Sequence, residues 1–176
     1  ALAAHGRARM LAQVGVEPSG EPFNAISLEP VTGRPANPLV NAGAIATTGM
    51  IPGETSSERD AVILDGLSRF AGRSLVVDEK VYRSESETGD RNRALAFLLR
   101  SHGVIGPDPQ AVAESYFRQC SIVVTVQDVA VMAATLAFGG RNPVTGEQVV
   151  SPTIARDVVS VMTSCGMYDF SGEWML

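Results

Sequence analysis

Helix-start signals recur along this sequence, each followed by apolar residues at helical spacing. Every signal places a Ser, Thr or Asp ahead of such a run, in some cases with an acidic residue three positions later or a proline directly after. The candidate caps are Ser57, Thr88, Asp108, Thr125 and Ser151. Because residues 1–14 also read as a helix, the sequence predicts a mostly α-helical segment.

Strand signals are weaker than helix signals. Residues 23–28 are predicted to form one short strand, and residues 122–126 are β-branched and favour either a strand or a loop. There is no internal repeat and no low-complexity linker. We therefore expect residues 1–176 to belong to a single domain.

Composition and charge exclude several classes of function. The chain has a formal net charge of -5 and 45% hydrophobic residues, without a basic cluster or an apolar run long enough to span a bilayer. Nucleic acid and membranes are therefore not expected as partners. The two histidines are too scattered for a metal site, and the two cysteines favour a reducing compartment. Cys120 is expected to be a small buried residue rather than a nucleophile.

Residues 37–46 form a small, apolar run with one amide, Asn41, set among them. Asn37 and Pro38 predict a helix start, with Asn37 as the cap. An amide buried in such a run costs free energy unless it is hydrogen-bonded. Asn41 is therefore expected either to hold a neighbouring loop or to bind a ligand.

Common catalytic signatures are missing. The sequence contains no Walker A loop, no G-x-G-x-x-G, no H-E-x-x-H and no G-x-S-x-G. Lys80 is the only lysine, and position 77 is a valine. No serine here can therefore be activated by a lysine one helical turn later.

Six stretches, in order along the chain, resemble the serine-type glutaminases of bacteria. They are residues 17–24, the run 37–46, residues 82–92, Tyr116 with Cys120 and Ser121, residues 139–146, and residues 162–173. The resemblance implies an α+β fold like that of serine β-lactamases and transpeptidases, of which this segment is the central, mainly helical part with one or two short strands. It implies hydrolysis of the side-chain amide of L-glutamine to L-glutamate and ammonia, without a cofactor or a metal.

The resemblance also assigns substrate contacts to particular residues. They are Asn41, Glu85, Asn92, Tyr116 and Tyr168. Read without the resemblance, Glu85 would be a solvated carboxylate, Asn92 an ordinary residue of a helix's first turns, Tyr116 a core tyrosine and Tyr168 a loop residue. In the family a carboxylate at Glu85 is a natural partner for the α-ammonium group, and Tyr116 passes protons or holds substrate.

Several expectations concern the parts that this sequence lacks. In the family the nucleophilic serine and its lysine base lie on an S-x-x-K helix before this segment, and a K-S-G-like strand follows it. The 176 residues alone are thus expected to be an inactive, truncated glutaminase domain. The family often forms dimers or tetramers, so a homodimer or homotetramer is expected, and the reducing compartment that the two cysteines favour is expected to be the cytoplasm. Another S-x-x-K acyl-transfer hydrolase, or a non-catalytic helical interaction domain, stays open as an alternative.

Overall fold

The computed structural model describes the backbone of residues 1–176 and the side chains of residues 1–168 and 170–176. Its helices, in chain order, are α1 (Leu2–Gln13), α2 (Asn41–Gly49), α3 (Ser56–Ala71), α4 (Glu79–Thr88), α5 (Asp90–Ser101), α6 (Pro109–Cys120), α7 (Val126–Ala137), α8 (Pro152–Cys165) and α9 (Ser171–Trp174), with a 3₁₀ turn at Tyr168–Phe170. Strand-like pairing within this description is limited to two isolated antiparallel bridges, Val77 with Ile122 and Arg141 with Gln148. The prediction of a mostly helical segment is confirmed, and the expected short strands are reduced to single bridges.

The core lies where α2, α5 and α6 pack against one another. Leu95 and Leu99 of α5 and Phe117 of α6 are fully buried there, together with the small side chains of α2. Gly43 permits the close approach of α2 to the preceding loop, because a Cβ there would lie 1.8 Å from the carbonyl oxygen of Asn37. Burial of large apolar side chains is the main stabilising contribution at this centre.

The remaining helices surround that centre. Helices α3 and α4 pack on α6, α7 packs on α3, and α8 packs on α7. None of the helices among the described residues combines the length and apolar character needed to cross a membrane. Helix α4, like α1, has no buried residue, so apolar packing alone does not fix its position.

Three of the sequence-predicted caps are confirmed. Asp108 accepts a hydrogen bond from the backbone N–H of Ala111 at the start of α6, and Ser151 caps α8. Thr125 and Asp128 form a complete capping box at the start of α7. These side chains satisfy backbone N–H groups that have no partner within the helix.

The other two predicted caps are wrong. The capping box of α3 is formed by Thr55 and Glu58, two residues before the Ser57 and Asp60 that the pattern indicated. Thr88 does not cap α5, because its hydroxyl donates to the carbonyl of Ser84 within α4. A hydroxyl inside a helix commonly bonds the carbonyl one turn earlier, so its spacing alone does not identify a cap.

The predicted start of α2 at Asn37 is also wrong. The side-chain oxygen of Asn37 accepts from the backbone N–H groups of Leu39 and Val40, at 3.0 and 3.2 Å, while its amide donates to the carbonyl of Glu17. The side chain thus closes a local turn, and α2 begins at Asn41.

The predicted strand at residues 23–28 is a loop. Its apolar members Phe23 and Ile26 are 49% and 51% exposed, so the alternation does not bury one face. At the other end of the chain, the helical spacing after Ser151 predicts that Met162 of α8 faces inward, but its side chain is 48% exposed. The sequence pattern did not indicate helix α4, because residues 83–93 form a charged run. This helix begins after Asp78, whose side chain accepts hydrogen bonds from the backbone N–H groups of Lys80 and Val81.

Candidate functional site

The amides of Asn41 and Asn92 lie side by side. Asn41 is the first residue of α2, and its Nδ2 donates to Oδ1 of Asn92, on the first turn of α5, at 3.0 Å. Among the side chains that the structure describes, neither amide makes a second hydrogen bond, which leaves the oxygen of Asn41 and the NH₂ of Asn92 able to bind a ligand. The backbone N–H of Asn41 also donates to the carbonyl oxygen of Phe23 at 2.8 Å, which fixes that loop against the start of α2.

Glu85 of α4 faces Tyr116 of α6. The carboxylate is half-buried, and no described side chain forms a hydrogen bond or an ion pair with it. Tyr116 is 9% exposed, and its ring packs against Phe117 with the ring centroids 6.0 Å apart. A half-buried carboxylate without a cationic partner is an attractive position for a bound ammonium group.

The environment of Tyr116 strongly favours the neutral phenol. Burial raises the pKa of the Tyr116 hydroxyl well above its ordinary value, and Cys120, the charge of Glu85, and Tyr168 raise it further. Burial of its sulfur and the charge of Glu85 likewise raise the pKa of the Cys120 thiol, against the effect of its hydrogen bond with Tyr116. A raised thiol pKa argues against a nucleophilic cysteine, as expected, although the residue itself is exposed rather than buried.

Tyr168 is held by a strained turn. Its φ of 51° lies in the left-handed region, which a bulky side chain rarely adopts. The hydroxyl of Ser171 stabilises this turn by donating to the carbonyl of Tyr168 and accepting from the backbone N–H of Met167. Such strain persists where the surrounding structure enforces it, and it is concentrated at ligand sites.

Phe23 connects the two halves of the site. Its ring lies 5.9 Å from that of Tyr168, centroid to centroid, and its carbonyl oxygen accepts from Asn41. Phe23 therefore links Asn41 of the amide pair to Tyr168, and Tyr168 in turn lies near enough to Tyr116 to raise the pKa of its hydroxyl. All five residues that the resemblance assigned to the substrate belong to this connected set.

Phe23 and Cys120 also adjoin the candidate site, although nothing in the sequence alone marks them as site residues. Phe23 lies within a stretch that carries the family resemblance, but an apolar residue in an expected strand is ordinarily assigned to the core. Cys120 follows Tyr116 by four positions, a spacing that places both on one helix face. That spacing is the signal that could have identified it.

Comparisons with known proteins agree with this architecture. The family model described as Glutaminase matches residues 1–176. The chain is 56% identical to Glutaminase 1 of Bradyrhizobium diazoefficiens over 97% of its own length and 28% of that protein, and 56% identical to a Clavibacter michiganensis glutaminase over 92% and 50%.

Among solved structures, a Bacillus glutaminase superimposes with a TM-score of 0.93 at 35% identity, covering 98% of this chain and 59% of that one. Mglu in its glutamate form superimposes with a TM-score of 0.91 at 46% identity, covering 98% and 40%. The chain thus spans about half or less of the length of the curated relatives named here.

Proposed function

The chain belongs to the glutaminase family, and on that premise we propose that it supplies the substrate-binding part of an enzyme that hydrolyses L-glutamine to L-glutamate and ammonia. The observation that carries the proposal is a chain of contacts that runs from the Asn41–Asn92 pair through Phe23 to Tyr168, and from there to Tyr116 and Glu85. The structure of Mglu in its glutamate form adds support, because that relative accommodates the product of this reaction.

Each polar group has a complementary partner on glutamine. The carboxylate of Glu85 pairs with the α-ammonium, while the free NH₂ of Asn92 donates to the α-carboxylate or the side-chain amide. Selection follows because a wrong ligand leaves these half-buried groups unpaired. Tyr116, as a neutral phenol, donates a hydrogen bond to the reacting amide or its leaving group, and Tyr168 closes the other side.

The chemical step is acyl transfer from glutamine to a serine that a lysine activates, both located outside residues 1–176. The serine oxygen forms a bond to the amide carbon, ammonia leaves with a transferred proton, and water then cleaves the glutamyl ester. Backbone N–H groups stabilise the oxyanion. This assignment rests on the family and on the absence of an S-x-x-K pattern from the sequence. We likewise propose that the protein forms a homodimer or homotetramer and that it is cytoplasmic. The cytoplasmic location agrees with the two free cysteines.

Ammonia release by the full-length protein tests the proposal. We expect turnover of L-glutamine, with L-asparagine and a chromogenic β-lactam as controls that turn over far more slowly. Rapid acid quenching followed by mass spectrometry should detect a glutamyl adduct on a serine peptide. Preferred hydrolysis of the β-lactam would indicate a different acyl-transfer hydrolase of this fold, and no turnover of either substrate would indicate a non-catalytic domain.

A further inference from the structure

The carboxylate of Glu114 joins three helices beside the candidate site. It accepts hydrogen bonds from Tyr82 Oη at 3.1 Å and Ser86 Oγ at 2.9 Å, both on α4, and from Arg93 Nη2 of α5 at 2.8 Å. Gln110, on its own helix α6, donates a further bond at 3.0 Å. We refer to these five side chains as the Glu114 cluster.

Glu114 is held in its charged form. Burial raises the pKa of this carboxyl group, but Arg93, Ser86 and Tyr82 together lower it below the ordinary value. The Glu114 and Arg93 side chains are only 25% and 20% exposed. A charge-assisted contact at this depth is less screened than a surface ion pair, and it fixes direction as well as distance.

The donors of the Glu114 cluster are direct neighbours of proposed substrate residues. Ser86 follows Glu85 on α4, and Arg93 follows Asn92 on α5. Consecutive helical side chains diverge by roughly 100°, so one can face the cluster while the other faces the site. Glu114 itself precedes Tyr116 by two positions on α6.

The Glu114 cluster helps to fix the position of helix α4. This helix has no fully buried residue, and Tyr82, its side chain that packs against the core, is itself a member of the cluster, so polar contacts contribute much of what determines the rotation and translation of α4. Arg93 reinforces the contact by donating to the carbonyl oxygen of Ser86 at 2.5 Å. Its guanidinium also lies over the ring of Phe117, 5.2 Å from the centroid.

We propose that Glu114 is a positioning residue for substrate recognition, one that sets Glu85 and Asn92 at the correct distance from Tyr116. The proposal rests on the proposed function, because it concerns the binding of glutamine. Glu114 acts through its neighbours and does not touch the substrate. Misplacement of a binding group by about 1 Å can lower a rate by about a hundredfold, so loss of this contact has a measurable kinetic effect.

The experiment measures glutamine kinetics of the full-length enzyme with Glu114→Gln, which keeps the shape of the side chain and removes its charge. We expect KM to rise by about tenfold or more, with a smaller change in kcat, because binding groups move while the nucleophile stays in place. Ser86→Ala, which removes only one donor, gives a milder test if the first variant folds poorly. It should raise KM in the same direction by a smaller factor.

A double variant distinguishes positioning from general stability. If Glu114 acts through Glu85, then Glu114→Gln should have a much smaller effect in the Glu85→Gln background than in the wild type. Asp128→Asn is the matched control, since it disrupts the carboxylate that Arg73 and Thr125 bind away from the site. It should lower the melting temperature without raising KM.

The outcomes separate the two levels of the argument. An active wild type, together with unchanged KM in both Glu114→Gln and Ser86→Ala, would overturn the positioning role alone. Fully additive effects in the double variant would overturn the part of this role that acts through Glu85. A wild type that releases no ammonia from glutamine would overturn the proposed function and this role with it.

Discussion

Replacing Glu85 with glutamine removes the charge that we assign to binding the α-ammonium group, while keeping size and shape. The carboxylate is half-buried and has no hydrogen-bonded or cationic partner among the described side chains, so the substrate would supply its main contact. A hydrogen bond to a charged group contributes about 1.5–3 kcal/mol. We therefore expect kcat/KM for L-glutamine to fall by about tenfold to a hundredfold or more, since about 1.4 kcal/mol corresponds to a factor of ten.

The assay compares two substrates on wild type and Glu85→Gln, both as full-length protein. Glutaramate is glutamine without its α-amino group, so its turnover should be slow in the wild type and much less affected by the substitution. Comparing the loss of ammonia release from the two substrates distinguishes loss of the contact to the α-ammonium group from a general effect of the substitution on the enzyme. Equal losses of kcat/KM for the two substrates would mean that the substitution disturbs the fold. No loss with either substrate would mean that Glu85 is a solvated surface residue without a role in binding.

Two further predictions concern stability and are checked by thermal or urea unfolding. Gly89→Ala should destabilise the protein by about 1–3 kcal/mol through overpacking, because the added Cβ would lie 2.2 Å from Cζ of buried Phe117. In contrast, Gly66→Ala in the interior of α3 has no atom within 4 Å and should stabilise by about 0.8–1 kcal/mol; equal shifts would contradict the steric argument. The hydrogen bonds from Arg73 hold the pKa of Asp128 far below its usual range. The stability that this carboxylate contributes is therefore fully present above its unfolded-state pKa of about 4 and is lost as the pH falls below that value. In Asp128→Asn, the urea concentration at the midpoint of unfolding should therefore decrease less steeply as the pH falls below about 4.

The helical part of the fold was predictable because its signals are local. A cap and an apolar stripe are both contained within one helix, as at Asp108 and Thr125. The errors arise where a polar side chain has a competing local partner. Asn37 closes a turn and Thr88 bonds within its own helix, and residue spacing does not distinguish these uses from capping.

The candidate site residues could be proposed from the sequence only through the family resemblance. Glu85 lies in a charged run whose helix has no buried residue, so periodicity gives no reason to separate it from its solvated neighbours. The pairing of Asn41 with Asn92 joins residues from two helices and depends on tertiary packing. The same is true of Glu114, whose partners lie on α4 and α5 and have no pattern in the sequence that connects them.

The surroundings of Tyr116 decide how this residue can take part in proton transfer. Burial, Cys120, Glu85 and Tyr168 all raise its pKa, so the phenol stays protonated throughout the neutral range and acts as a hydrogen-bond donor. For Tyr116 to act as a base, a nearby cation would have to lower the pKa of its hydroxyl by more than these four effects raise it. Tyr116→Phe keeps the ring and should lower kcat by about a hundredfold or more, in the range typical for a lost donor or proton-transfer group. In an ultraviolet difference titration below about pH 10, the wild-type full-length enzyme and Tyr116→Phe should therefore give the same phenolate signal. A phenolate that titrates near neutral pH in the wild type and is missing from the variant would mean that a cation from outside residues 1–176 reverses the effect, and that Tyr116 serves as a base.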